Sequence, residues 1–112
     1  MNLNNVFAAV KKASRSLNCM TDETINKILL ALADETEAQA DFILAENQKD
    51  LAAMEKSNPL YDRLLLTKQR IYDIASDIRK VASLPSPVGN VLESRELPNG
   101  LKLTKKAVPF GV

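Results

Sequence analysis

Leu3, Val6, Phe7, Val10, Ser14 and Leu17 recur at helical spacing, with Lys11, Lys12 and Arg15 turned mainly away, and predict an amphipathic helix over residues 3–17. Thr21 offers an N-cap, Asp22 and Glu23 suit a first turn, and Ile25, Ile28, Leu29, Leu32 and Ala33 form the next stripe, giving a second helix over about 22–36. Residues 37–56 carry the stripe Ala40, Ile43, Leu44, Leu51 and Met54; Asn47, with Asp50 three residues on, offers a fresh start, so one bent helix and two short ones both fit. Asn58-Pro59 stops that run, and a short apolar turn spans 60–66. Thr67 caps the clearest helix, with Ile71, Ile74, Ala75, Ile78, Val81 and Ala82 on one face and Asp73, Asp77, Arg79 and Lys80 on the other, ending before Pro85.

From Pro85 the pattern changes. Seven of the eight Pro and Gly residues fall in the last 28 positions, which excludes further helix. Asn99-Gly100 separates 91–97 from 101–108, where Leu101, Leu103 and Ala107 alternate with Lys102, Thr104 and Lys106; this predicts a β-hairpin, joined to the helices through 85–89. The closing run Ala107, Val108, Pro109, Phe110, Gly111, Val112 reads as the entrance to a buried strand and suggests a piece of a longer protein. A short C-terminal strand tucked under the helices is the competing expectation.

Composition narrows the classes. With 112 residues and 46% hydrophobic content the chain is at most one domain, and a compact globule of this size would expose roughly 6,000 Å², burying about two thirds of its surface. Fifteen basic against fourteen acidic residues leave a net charge of +1, so no global field draws it to nucleic acid or an anionic membrane. There is no His, which removes imidazole acid–base chemistry, Ser/His or Cys/His nucleophile pairs and His metal ligands. One Cys, no signal-peptide order at the N-terminus and no apolar run of spanning length point to the cytoplasm, without membrane insertion.

The remaining candidates for chemistry are few. Cys19 precedes a helix start, but without His it reads as a small packed hydrophobe with a structural role. Asp34, Glu35, Glu37 and Asp41 lack any Ca²⁺-loop spacing and read as the solvated face of a helix. Gly89, Gly100 and Gly111 stand too far apart to cradle a phosphate. Lys102, Lys105 and Lys106, with Lys11, Lys12 and Arg15, would protect a strand edge rather than bind nucleic acid, given 4% aromatics. The residues assign no catalytic, cofactor-binding or metal-binding position.

Four stretches carry a family resemblance: residues 26–57 (NKILLALADETEAQADFILAENQKDLAAMEKS), 61–71 (YDRLLLTKQRI), 86–91 (SPVGNV) and 100–112 (GLKLTKKAVPFGV). In order and spacing they resemble the N-terminal region of the γ-glutamyl phosphate reductases, also called glutamate-5-semialdehyde dehydrogenases, of the aldehyde dehydrogenase superfamily. Ser86 and Ala107 depart from the acidic and basic residues often found before the PVG and VP of the family. The resemblance implies NADPH-dependent reduction of L-glutamate 5-phosphate to the 5-semialdehyde in proline biosynthesis. In that chemistry a Cys thiolate displaces phosphate and hydride then reduces the thioester. Cys19 does not match the nucleophile motif, and the family's cofactor-binding strands begin past VPFGV, so neither the reactive sulfur nor an NADPH site is expected in this chain.

The fold class expected is therefore mainly α with a C-terminal β-hairpin, the N-terminal part of an α/β aldehyde dehydrogenase-like fold. Residues 1–85 would be a helical segment packing on the cofactor domain of the parent, and 86–112 the hairpin of an oligomerisation arm. An inactive scaffold and assembly segment follows, with self-association through the hairpin or exposed helical stripes, and with the rest of the parent enzyme as partner. The alternative is a stand-alone helical interaction module.

Overall fold

The computed structural model describes residues 2–110. Helix α1 (Leu3–Leu17) is followed by α2 (Asp22–Ala38), α3 (Ala40–Ala52), the single turn α4 (Tyr61–Leu64) and α5 (Lys68–Ala82), then strands β1 (Val91–Glu96) and β2 (Lys102–Lys106). The mainly helical class with a terminal hairpin is as the sequence predicts. Gly111 and Val112, the end of the segment read as a strand entrance, lie outside the described residues. Ala107 to Phe110 form no strand, and Phe110 is fully exposed. The chain divides into two compact units, Glu23–Leu84 and a second containing the residues before and after it.

Within Glu23–Leu84 the core is small and built from small side chains. Ala33 of α2, Ala40 and Leu51 of α3, and Ile71, Ala75 and Ala82 of α5 are buried, and Ile71, at 1% exposure, is the largest fully buried side chain. Four of these six are alanine, so little apolar area leaves water per helix contact. The predicted stripes are only partly covered: Ile28, Leu32, Ile74 and Val81 remain exposed, and Leu29, Ile43, Leu44 and Ile78 are half-buried.

The choice between one bent helix and two resolves at Gln39, not at Asn47. Gln39 leaves helical geometry (φ −95°, ψ 12°), yet its N–H still donates to the Glu35 carbonyl and its carbonyl accepts from Ile43 N–H, each at 2.9 Å. Thr36 Oγ1 donates to the Leu32 carbonyl at 2.7 Å, a back-bond of the kind that bends helices. Asn47 lies inside α3 and is 6% exposed; it caps nothing in its own helix. Its Nδ2 donates to the Leu64 carbonyl and its Oδ1 accepts from Leu66 N–H, both at 2.9 Å, so the side chain pairs with the turn after α4 as a neighbouring strand would. The expected helix stop at Asn58-Pro59 comes later than the observed end at Ala52; Asn58 instead folds the connection, its Oδ1 accepting from Leu60 N–H at 2.9 Å.

Two arginines complete this unit. Arg70 Nη1 donates to the carbonyls of Asp62 and Leu65 at 2.6 Å, and Nη2 reaches Asp62 Oδ1 at 3.0 Å, fixing the same turn from α5. Arg79, expected on the solvent face, is only 35% exposed and bridges α5 to α2: Nη1 and Nη2 take both carboxylate oxygens of Glu37 at 2.6 and 3.0 Å, and Nη2 also reaches Asp34 Oδ1 at 2.8 Å. The acidic face of α2 is thus partly engaged rather than wholly solvated. Hydrogen bonding to Arg79 holds the Glu37 carboxyl below its ordinary range against partial burial, and the two carboxylates hold the Arg79 guanidinium above its own.

Thr67 caps α5 as predicted, its Oγ1 accepting from Arg70 N–H at 3.1 Å. Thr67→Ala is expected to cost about 1 kcal/mol. Asn47→Ala, which strands a carbonyl and an N–H in the interior, is expected to cost about 2–4 kcal/mol. Urea midpoints of the two variants check this order; an Asn47 variant no weaker than the cap variant contradicts it. Because the folded-state value of Glu37 is depressed, its contribution is fully present above the unfolded carboxylate range and is lost as pH falls through the folded value. The urea midpoint of the chain should therefore exceed that of Glu37→Gln at neutral pH, and the gap should close on acidification.

Candidate functional site

The hairpin is the most exposed regular element, and its turn is built by local sequence. Leu97 carbonyl accepts from Gly100 N–H at 2.9 Å and Leu97 N–H donates to Leu101 carbonyl at 2.8 Å, closing a three-residue loop of Pro98, Asn99 and Gly100. Proline's fixed φ suits the first loop position, and Gly100 takes φ +82°, the left-handed conformation that such loops require at their third residue. Asn99 Oδ1 accepts from Leu101 N–H at 3.1 Å. The asparagine-glycine pair thus marks the turn, with proline as a full member of it.

The strands pair antiparallel from Glu96 with Lys102 to Val91 with Lys106, with one irregularity between Val91 and Glu93. Past that point the ladder continues, with Gly89 N–H donating to Ala107 carbonyl and Ala107 N–H to Asn90 carbonyl, each at 2.9 Å. Opposed residues share a face, so Glu93 with Lys105 and Arg95 with Leu103 line one side; Glu96 with Lys102 and Ser94 with Thr104 line the other. A shallow open groove of about 340 Å³ runs over the first side, lined by Glu93, Arg95, Leu103, Thr104 and Lys105. All strand residues are exposed, including Val91, Leu92 and Leu103. The expected lysine-rich strand is present, with Lys102, Lys105 and Lys106 all exposed on β2.

Helix α1 adds a second exposed apolar surface. It contains no buried residue, and Phe7 is 62% exposed beside Leu3, Val6, Val10 and Leu17. Asn2, not foreseen as a cap, accepts from Asn4 N–H at 3.1 Å and starts it.

Of the candidate chemical groups, Asp34 and Glu37 meet on Arg79 as an ion-pair bridge. Cys19, expected to be packed, is exposed in the turn after α1, its Sγ 4.0 Å from the Arg15 carbonyl. The turn is held by Cys19 and Met20 N–H groups on Ser16 and Leu17 carbonyls, which leaves the thiol outside. Among the described residues no group of His, Cys, Asp and Glu is placed to hold a metal ion, and no helix is long and apolar enough to cross a membrane. Among the described residues Gly89, in the turn that precedes β1, and Gly100, in the hairpin turn, have open space where a Cβ would point, and no helix N-terminus follows either. Neither glycine thus offers the helix-capped amide cradle that the phosphates of a dinucleotide require.

Asn47, Arg70 and Arg79 are the positioning side chains that periodicity overlooked. Asn47 is legible in hindsight as a polar residue four positions from both Ile43 and Leu51, on the apolar stripe of α3.

No family model matches the chain. Gamma-glutamyl phosphate reductase of Bacteroides thetaiotaomicron is 60% identical over 111 residues, covering 99% of this chain and 27% of that protein. The Bacteroides fragilis enzyme of the same name is 54% identical over 112 residues, again 27% of its length. Among solved structures, gamma-glutamyl phosphate reductase of Saccharomyces cerevisiae matches 97% of this chain and 29% of its own at a TM-score of 0.81 and 29% identity. That of Thermotoga maritima matches 89% and 25% at 0.76 and 28%. The chain spans about a quarter of the length of the curated relatives it matches. In sequence and in fold it belongs with the γ-glutamyl phosphate reductases, as a segment of that length.

Proposed function

We propose that this chain is the N-terminal helix-and-hairpin segment of a cytoplasmic enzyme that reduces L-glutamate 5-phosphate to the 5-semialdehyde in proline biosynthesis, and that it contributes scaffold and assembly surface rather than catalytic groups. NADPH supplies the hydride in the reaction the resemblance implies, and its binding residues belong to the rest of the enzyme. The observation that carries the reading is identity to the Bacteroides reductases along essentially the whole chain, together with the fold match to the Saccharomyces cerevisiae enzyme over 97% of it. The uncovered faces of α1, α2 and α5 support it, because stripes this apolar ordinarily lie against further protein. The hairpin supports an assembly role: two strands with both faces in water are marginal alone and gain by pairing. On this reading the partners are the remainder of the parent enzyme and further copies of the same chain.

Calorimetric titration of the chain with NADPH is expected to give no saturable heat; micromolar binding would remove the division of labour proposed here. The positive test is a chimera in which this chain replaces the matching quarter of the Bacteroides thetaiotaomicron reductase. It should fold, assemble and reduce the acyl phosphate with NADPH. A soluble, assembled chimera without activity contradicts the proposal.

A further inference from the structure

Asn99-Gly100 is the one place in the chain where glycine follows asparagine, and the structure sets it at an exposed turn. A residue without a side chain leaves its amide nitrogen free to approach the side-chain carbonyl of the asparagine before it. Each of the other eight asparagines is followed by a residue with a side chain; among them Asn90 precedes β-branched Val91, Asn58 precedes Pro59, which has no N–H, and Asn47 is buried. In the folded turn, however, both reacting groups are engaged. Gly100 N–H is donated to the Leu97 carbonyl at 2.9 Å, and Asn99 Oδ1 accepts from Leu101 N–H at 3.1 Å.

We propose that Asn99 is a site of spontaneous imide-forming modification gated by the hairpin turn, suppressed while the turn is closed and released when it opens. The Gly100 nitrogen, losing its proton to solvent base, forms a bond to Asn99 Cγ. The Cγ–Nδ2 bond breaks, and the nitrogen leaves as ammonia with a proton taken from water. Water then adds to either carbonyl of the five-membered imide, giving aspartate or an isoaspartyl link. No change of oxidation state is involved. The isoaspartyl product carries an extra main-chain carbon between Pro98 and Gly100 and a new negative charge, so the Leu97–Leu101 closure does not re-form in register. Strand pairing and chemical state of the turn are thereby coupled, whatever the hairpin docks against.

The test follows the full chain in mildly alkaline buffer, native and in denaturing urea, by mass spectrometry of the tryptic peptide 96–102. In urea, Asn99 is expected to exchange its amide for a carboxyl faster than any other asparagine; in native buffer its rate should be about tenfold lower. Equal rates in the two conditions overturn the gating. Conversion of Asn90 as fast as Asn99 in urea overturns the assignment of the site. Asn99→Gln, whose longer side chain disfavours the ring, should abolish the mass change at this peptide in both conditions, and a persisting change would place the chemistry elsewhere.

Discussion

Asn47 closes the unit of α2, α3 and α5 by pairing its amide with the backbone on both sides of Leu65. An interior amide that meets a carbonyl and an N–H together satisfies three polar groups that would otherwise lose water unpaid, and it does so between residues 17 and 19 positions apart. Around it the core is mostly alanine, which lets helices approach closely but removes little apolar surface from water. Directional bonds therefore carry an unusual share of the specificity: Asn47 from α3 and Arg70 from α5 hold the same turn, and Arg79 ties α5 to α2. No buried side-chain polar atom among the described residues is left without a partner, so the network is complete where it is buried.

The same economy explains why so much apolar surface is left in water. A stripe on a helix has roughly a third of its circumference to bury, and α2 and α5 each meet the small core with only part of theirs. Ile28 and Leu32 on α2 and Ile74 and Val81 on α5 lie beside the buried alanines, not beneath them. Such a surface is costly for a free-standing helical unit and ordinary for a segment that spans a quarter of its relatives.

The elements with strong local signals were legible from sequence. Thr67 and the spacing from Ile71 to Ala82 locate α5, the stripe from Leu3 to Leu17 locates α1, and the clustered Pro and Gly residues locate the hairpin. What periodicity missed is what depends on distant residues. Asn47 looks like a cap when only its neighbours are read, because Asn is common at helix starts; the partners that keep it in mid-helix are on another turn. Arg79 sorts to the polar face by type, yet it sits four residues from Ala75 and three from Ala82 and so borders the buried side, where Glu37 can reach it. Residue type alone points Cys19 inward, whereas the tight turn at the end of α1 leaves it exposed. The absence of His and the wide spacing of the Gly residues are properties of composition, which no folding changes.

The hairpin obeys the opposite logic from the helical unit, since among the described residues its own ladder and turn hold it in shape. Its register places Glu93 opposite Lys105 and Glu96 opposite Lys102, opposite charges that favour this pairing where burial contributes nothing. The turn contributes the remaining constraint through Pro98, whose φ is preset, and Gly100, whose positive φ a side chain would strain. A hairpin built this way is specified without being strongly stabilised. That combination would suit the assembly role proposed for it, because the hairpin settles its own register and leaves its edges unpaired.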